Sequence, residues 1–258
     1  MNIFKRARVI YILQRYAIKR DLWETVYNKL SLLQGMSSVE KAHFRELSTL
    51  FLYDKNIYAV QGFHITEEMR VMIAAQACLP ILGLGIGLLT GWRDVIVYTD
   101  AFQVHREERD EFGIVHNEQH QLSGESWLRG PVILSWQDIE LDMHRWQEGH
   151  NVIVHEIAHK LDMLNGVANG MPPLHVSMQS TQWASAFSSA YQLLNQRLEQ
   201  HHRVCINPYA ATSPAEFFAV LSEYFFCAPE ILNTHFADIY QLLQIYYRQD
   251  PLKRMLTL

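Results

Sequence analysis

His155, Glu156 and His159 stand in the order His-Glu-Ile-Ala-His within an apolar run, preceded by Asn151-Val152-Ile153-Val154 and followed by Lys160-Leu161-Asp162-Met163-Leu164. On a helix, residues four apart lie one above the other, so two imidazoles can reach one metal ion while Glu156 points beside it. Two neutral imidazoles and a third ligand leave a fourth tetrahedral position open to water, whose pKa a zinc ion lowers toward ~7. A glutamate beside the first histidine can take a proton from that water and pass it to a leaving amine. The chemistry available is metal-assisted hydrolysis of an amide bond. The chain holds 13 histidines, so a chance match is the competing reading. Context weighs against chance: β-branched residues surround the motif, one helix is predicted from about Asn151 to Asn165, and Asn165-Gly166 supplies its stop.

The third ligand is not within the same helix. A continuation by His-x-x-Gly-x-x-His or -Asp would place glycine at 162 and the ligand at 165, where this chain has Asp162 and Asn165. Asp162 follows His155 by seven residues, ~10 Å along a straight helix, too far to share its metal. It reads as an acceptor for a histidine N–H or as a helix-surface carboxylate. A glutamate from a later helix remains, as in gluzincins. Ser213-Pro214-Ala215-Glu216 opens such a helix, with serine as N-cap, proline at the first position and glutamate at the third. Glu216 can be the partner of a capping box, yet a carboxylate among Phe217, Phe218, Phe225 and Phe226 is costly unless paired or metal-bound. Glu216 is preferred, and Glu223, two turns on and on the same face, stays open as its rival.

The stretches Gly149 to Leu164 and Tyr209-Ala210-Ala211-Thr212-Ser213-Pro214-Ala215-Glu216-Phe217-Phe218-Ala219 together resemble the Mlc titration factor A family. These are bacterial zinc peptidases whose catalytic domain is similar to that of anthrax lethal factor. Ile65 to Cys78 and Gly130 to Trp136 fit the same pattern, so the resemblance covers the chain from about residue 55 onward. It implies one Zn2+ per chain held by His155, His159 and Glu216, with Glu156 as general base and acid. It implies that Tyr209 faces the tetrahedral intermediate, where a phenol donor would stabilise the developing oxyanion; a plain loop tyrosine beside Pro208 is the alternative. It also implies aminopeptidase-type cleavage of short peptides, and binding of the glucose-responsive repressor Mlc. The competing function is a regulator-binding protein whose zinc helix is structural or vestigial. Glu156 separates the two, because a structural zinc site closes its fourth position and needs no base. Asn165 departs from the pattern, which has an acidic residue before the glycine.

These residues have to be positioned by an α+β fold of gluzincin type: a small sheet, the motif helix, and helices after it. Residues 1–55 are expected as an N-terminal helical region packed on a catalytic domain of residues 56–258. Ser37-Ser38-Val39-Glu40 predicts a capped helix to about Tyr53, and Thr66 caps a core helix from Glu67 to Leu79. Short strands are predicted at Ile57 to Gln61, Val95 to Tyr98 and Val132 to Trp136, with a strand edge beside the cleft to which a peptide substrate could add. Gly124 to Trp127 is a candidate for that rim.

Composition excludes other classes. At 258 residues, 49% hydrophobic and a formal charge of −5, the chain has core enough for one or two domains and no basic footprint for nucleic acid. Cys78, Cys205 and Cys227 are odd in number and lack Cys-x-x-Cys spacing, so reduced core thiols are expected. Lys5, Arg6 and Arg8 precede an apolar stretch broken by Gln14, Arg15, Lys19 and Arg20, which does not make a signal peptide. Val71 to Leu89 is long enough for a membrane span, but Gln76, Pro80, Gly83, Gly85 and Gly87 interrupt it. A cytoplasmic protein without membrane insertion is expected. His116 and His120 are also four apart, but Asn117 stands where the catalytic glutamate would be and Gly113 lies just upstream, so they read as loop residues; His201 and His202 end a polar helix, and His150 leads into the motif helix.

Overall fold

The computed structural model describes residues 3–60, 62–99 and 130–255. Its elements run α1 (Ile3–Tyr16), α2 (Arg20–Lys29), α3 (Ser38–Asp54), β1 (Asn56–Ala59), α4 (Glu67–Cys78), β2 (Asp94–Tyr98), β3 (Val132–Ser135), α5 (Trp136–Arg145), α6 (Val152–Asp162), α7 (Ser180–Glu199), α8 (Pro214–Cys227), α9 (Pro229–His235), α10 (Ala237–Tyr247) and α11 (Pro251–Met255). The mixed helical architecture with one small sheet is α+β. His116, His120 and the rim candidate Gly124 to Trp127 lie outside the described residues.

The three strands are parallel in the order β1-β2-β3, with Ile57 opposite Val95 and Val95 opposite Val132. Val95 and Val97 of the central strand are buried, as are Val132 and Leu134 beside them. β3 ends one residue earlier than its sequence pattern suggests. Ser135 turns the chain by accepting from Asp138 N at 3.1 Å, and Trp136 already begins α5.

Local signals explain the helices. Ser37 and Glu40 form the reciprocal cap of α3, with Glu40 N to Ser37 Oγ at 3.2 Å and Ser37 N to Glu40 Oε2 at 2.8 Å. Thr66 caps α4, whose residues from Val71 to Cys78 are all buried. This helix uses its apolar composition as core, and no helix among the described residues is long and apolar enough to cross a membrane. Cys78 and Cys227 are buried free thiols, and Cys205 is partly buried. The contiguous core runs from Ile18 to Tyr247, with α8 at its centre and buried from Phe217 to Cys227. Trp183 of α7 stacks on Phe187 at 4.3 Å and packs against Phe218, which fixes α7 to α8.

Candidate metal centre

α6 is placed by Asn151, which works in three directions. Its Oδ1 accepts from Val154 N at 2.9 Å as an N-cap, its Nδ2 donates to Gln76 Oε1 at 2.7 Å, and its backbone N–H donates to Glu223 Oε2 at 2.6 Å. Gln76 is 1% exposed. Asn151→Ala is therefore expected to remove the cap and leave the Gln76 amide short of a partner, lowering stability by about 2–4 kcal/mol in denaturant unfolding. The turn before it depends on Gly149, whose φ is +82° and where a Cβ would lie 2.5 Å from the Tyr224 ring.

Ile153, Val154, Ile157, Ala158 and Leu161 bury one side of α6. The other side turns His155 and Glu156 toward a cavity of about 460 Å³ that is also lined by Tyr209, His150 and Asp142. The Nε2 atoms of His155 and His159 lie 3.1 Å apart, and Glu216 Oε2 lies 3.0 Å from the first and 3.2 Å from the second. A tetrahedral ion with bonds of ~2.0–2.1 Å has edges of roughly 3.3–3.4 Å between ligand atoms. The triangle is thus of the size one such ion spans, and its donor set of two imidazoles and a carboxylate suits a divalent metal.

Glu216 is delivered by the first turn of α8. Its backbone N–H bonds Ser213 Oγ at 3.2 Å, but the return bond of a capping box is absent, and its carboxylate turns to the histidines instead. Glu223, on the same helix, approaches from behind. Its Oε1 is 2.7 Å from His155 Nδ1, and its Oε2 accepts from Asn151 N. The two glutamates therefore engage opposite nitrogens of one imidazole. With Glu223 accepting Nδ1–H, a neutral His155 presents the lone pair of Nε2 to the centre.

Electrostatics follow this placement. Burial disfavours a charged His155, but Glu216 and Glu223 outweigh it and push its pKa up to about 10. Burial raises Glu216, while the bonds from His155 and His159 hold it well below the usual carboxylate range. Burial pushes the Glu156 carboxyl up against the pull of His159 and His155. Burial and then Glu216 raise the Tyr209 phenol, so it stays a proton donor. Tyr209 is presented by the short turn Pro208–Ala211, where its N–H bonds Asn207 Oδ1 at 3.0 Å, and its ring lies 6.1 Å from that of His155.

Asp162 is neither a helix-surface carboxylate nor bonded to a histidine among the described hydrogen bonds. It is fully buried, and its Oδ2 accepts from Gly170 N at 2.7 Å. Gly170, with φ +77° and Pro214 O only 2.4 Å from the place of a Cβ, lets that loop seat against the start of α8. Asp162 thus ties the end of α6 to the helix that carries Glu216. Asn165 takes up the turn after α6 by donating to Met171 O at 2.8 Å. The predicted motif helix is shorter than expected: Met163–Asn165 is a 3-10 turn and Gly166 adopts φ +98°. His201, at φ +55°, lies just beyond the end of α7.

Sequence reasoning missed α5 and its cavity-lining carboxylates. Asp142 Oδ2 accepts from Val152 N at 2.7 Å, and burial raises its pKa to about 6. The signal was present as Ser135-x-x-Asp138, a capping pattern inside what read as a strand end.

A family model described as glucose-regulated metallo-peptidase M90 matches residues 2–248. The chain is 39% identical over 235 residues to an Mlc titration factor A of Cronobacter sakazakii, covering 90% of this chain and 88% of that one. It is 38% identical over 236 residues to the Mlc titration factor A of Pectobacterium atrosepticum, with 90% and 88% covered. An uncharacterized protein of Synechocystis is 39% identical over 232 residues, with 89% and 84% covered.

Proposed function

Because this chain belongs to the M90 glucose-regulated metallo-peptidase family, together with Mlc titration factor A, we propose that it is a zinc-dependent peptidase of aminopeptidase type. His155, His159 and Glu216 would hold the metal in a gluzincin arrangement. The observation that carries this reading is the convergence of their three ligand atoms, with His155 and its neighbour Glu156 lining the cavity. The chemistry belongs to residues 56–258, on which the helices of residues 1–55 pack.

Bound there, zinc would supply a water of lowered pKa and polarise the scissile carbonyl. Glu156 would accept a proton from the attacking water at its carboxylate and deliver it to the leaving amine. Burial raises its carboxyl pKa, the direction that suits a base that must also act as an acid. Tyr209 donates its hydroxyl proton in a hydrogen bond to the oxygen on which negative charge develops. Glu223 holds the Nδ1 proton of His155 and keeps the imidazole in the tautomer that presents Nε2.

A proton equilibrium follows. Without metal, His155 with a pKa of about 10 is protonated at neutral pH, so the metal has to displace that proton. Loading at pH 7 is expected to release about one proton per chain, and apparent affinity to fall about tenfold for each pH unit of acidification. Calorimetry in buffers of different ionisation enthalpy checks both.

The relatives named for titrating Mlc support a second role, binding of that regulator. Retention of Mlc on metal-free, folded protein tests it. The peptidase reading is tested on aminoacyl reporters and short peptides, with matched peptides acetylated at the amino end. Chelator-sensitive cleavage of the free-amine substrates alone is expected. Zinc-loaded protein that cleaves nothing on the panel would move the regulator-binding reading ahead.

A further inference from the structure

Helix α1 carries a face that the peptidase reading leaves unused. Ile12 is its one buried residue. Ile3 is 81% exposed, Phe4 82%, Ile10 48% and Tyr11 56%, and Tyr16 and Tyr53 continue the exposed surface alongside. Leu141 and Tyr209, also exposed, line the cavity of the metal centre, whereas these residues are gathered on α1 and beside it.

At ~100° per residue, Ile3, Ala7, Ile10 and Tyr11 project away from Ile12 as one stripe that ends at Gln14. Arg6 borders the stripe on one margin, and Arg8 and Arg15 on the other. Residues 1–20 contain six Lys or Arg and no Asp or Glu, although the whole chain has a formal charge of −5. Among the described residues, none of Lys5, Arg6, Arg8 and Arg15 forms an ion pair; Arg8 and Arg15 rest near the rings of Tyr53 and Tyr16.

We infer that α1 docks the protein peripherally on an anionic phospholipid surface. The stripe enters the boundary between headgroups and acyl chains, and the arginines on both margins reach lipid phosphates on their long stems. Charge complementarity selects this occupant. An anionic bilayer is planar and accepts a convex helix with cations on both sides, whereas a protein groove would have to match the stripe and both margins. No residue of α1 lines the cavity beside the metal ligands.

The test is sedimentation of the full chain with vesicles of phosphatidylglycerol and phosphatidylcholine, against vesicles of phosphatidylcholine alone. Binding only to the anionic vesicles is expected, with release at about 1 M salt, where the screening length falls to ~3 Å. The triple variant Arg6→Gln, Arg8→Gln, Arg15→Gln should bind roughly a hundredfold more weakly, at about fivefold per arginine. Ile3→Ser, Ile10→Ser, Tyr11→Ser should also lose binding. Both variants should keep the wild-type unfolding temperature and peptide hydrolysis. Absence of wild-type binding to anionic vesicles at low salt, equal binding to neutral ones, or undiminished binding by both variants would overturn the inference. So would loss of a protein partner by these variants without any vesicle binding.

Discussion

Glu156→Gln is expected to lower peptide hydrolysis by about 10²–10⁴-fold while leaving bound metal and fold unchanged. The amide has the same shape and sits beside the same histidines, but it cannot accept the proton that the carboxylate takes. The loss should fall on kcat, because proton transfer is a transition-state interaction, with KM little altered. Stability gives an independent check on the same residue. Burial raises the Glu156 pKa above its unfolded value, so ionised Glu156 destabilises the metal-free fold at neutral pH, and the neutral amide removes that penalty. The metal-free variant should unfold at the wild-type temperature or slightly above it. A variant that loses both metal and stability would assign Glu156 a structural role instead.

Substituting the two glutamates of α8 should separate coordination from orientation. Glu216→Gln removes the carboxylate oxygen that lies 3.0 Å and 3.2 Å from the two Nε2 atoms, and stoichiometric metal binding should disappear together with hydrolysis. Glu223→Gln leaves all three ligand atoms in place. It weakens the acceptor for the Nδ1 proton and the partner of Asn151 N, so affinity should drop about 10–100-fold. Excess zinc should restore much of the activity of Glu223→Gln and little of that of Glu216→Gln. Metal titration by competition with a chromophoric chelator, followed by rates at saturating zinc, measures both. Equal behaviour of the two variants would contradict the division of roles.

The local part of this site was legible in the sequence. The four-residue spacing of His155 and His159 puts both imidazoles on one side of a helix, and the predicted cap at Ser213 is a side-chain cap in the structure, whereas the cap at Asn151 is seen only in the structure. The roles of Glu216 and Glu223 were not legible from periodicity. They are seven residues apart on one face of α8, and which of them meets Nε2 and which Nδ1 depends on how α8 crosses α6, a tertiary relation that no local pattern encodes. Asp162 was misread for a related reason: its partner is the backbone of Gly170 across a loop, so a position that looked like helix surface became buried. The order of the sheet was equally hidden, since three short apolar runs look the same whether their strands pair in parallel or not. α5 was lost because an apolar run followed by Ser135 and Trp136 imitates a strand end, and tryptophan tells little between strand and first helical turn.

The central claim is that His155, His159 and Glu216 form an open catalytic metal centre. It is tested most directly by diffraction from zinc-loaded crystals at wavelengths on either side of the zinc absorption edge. The account predicts one anomalous peak bonded to His155 Nε2, His159 Nε2 and a Glu216 oxygen at ~2.0–2.2 Å, with a fourth position free of protein ligands. Zinc bound elsewhere, Glu223 in place of Glu216, or a protein side chain closing the fourth position would contradict it.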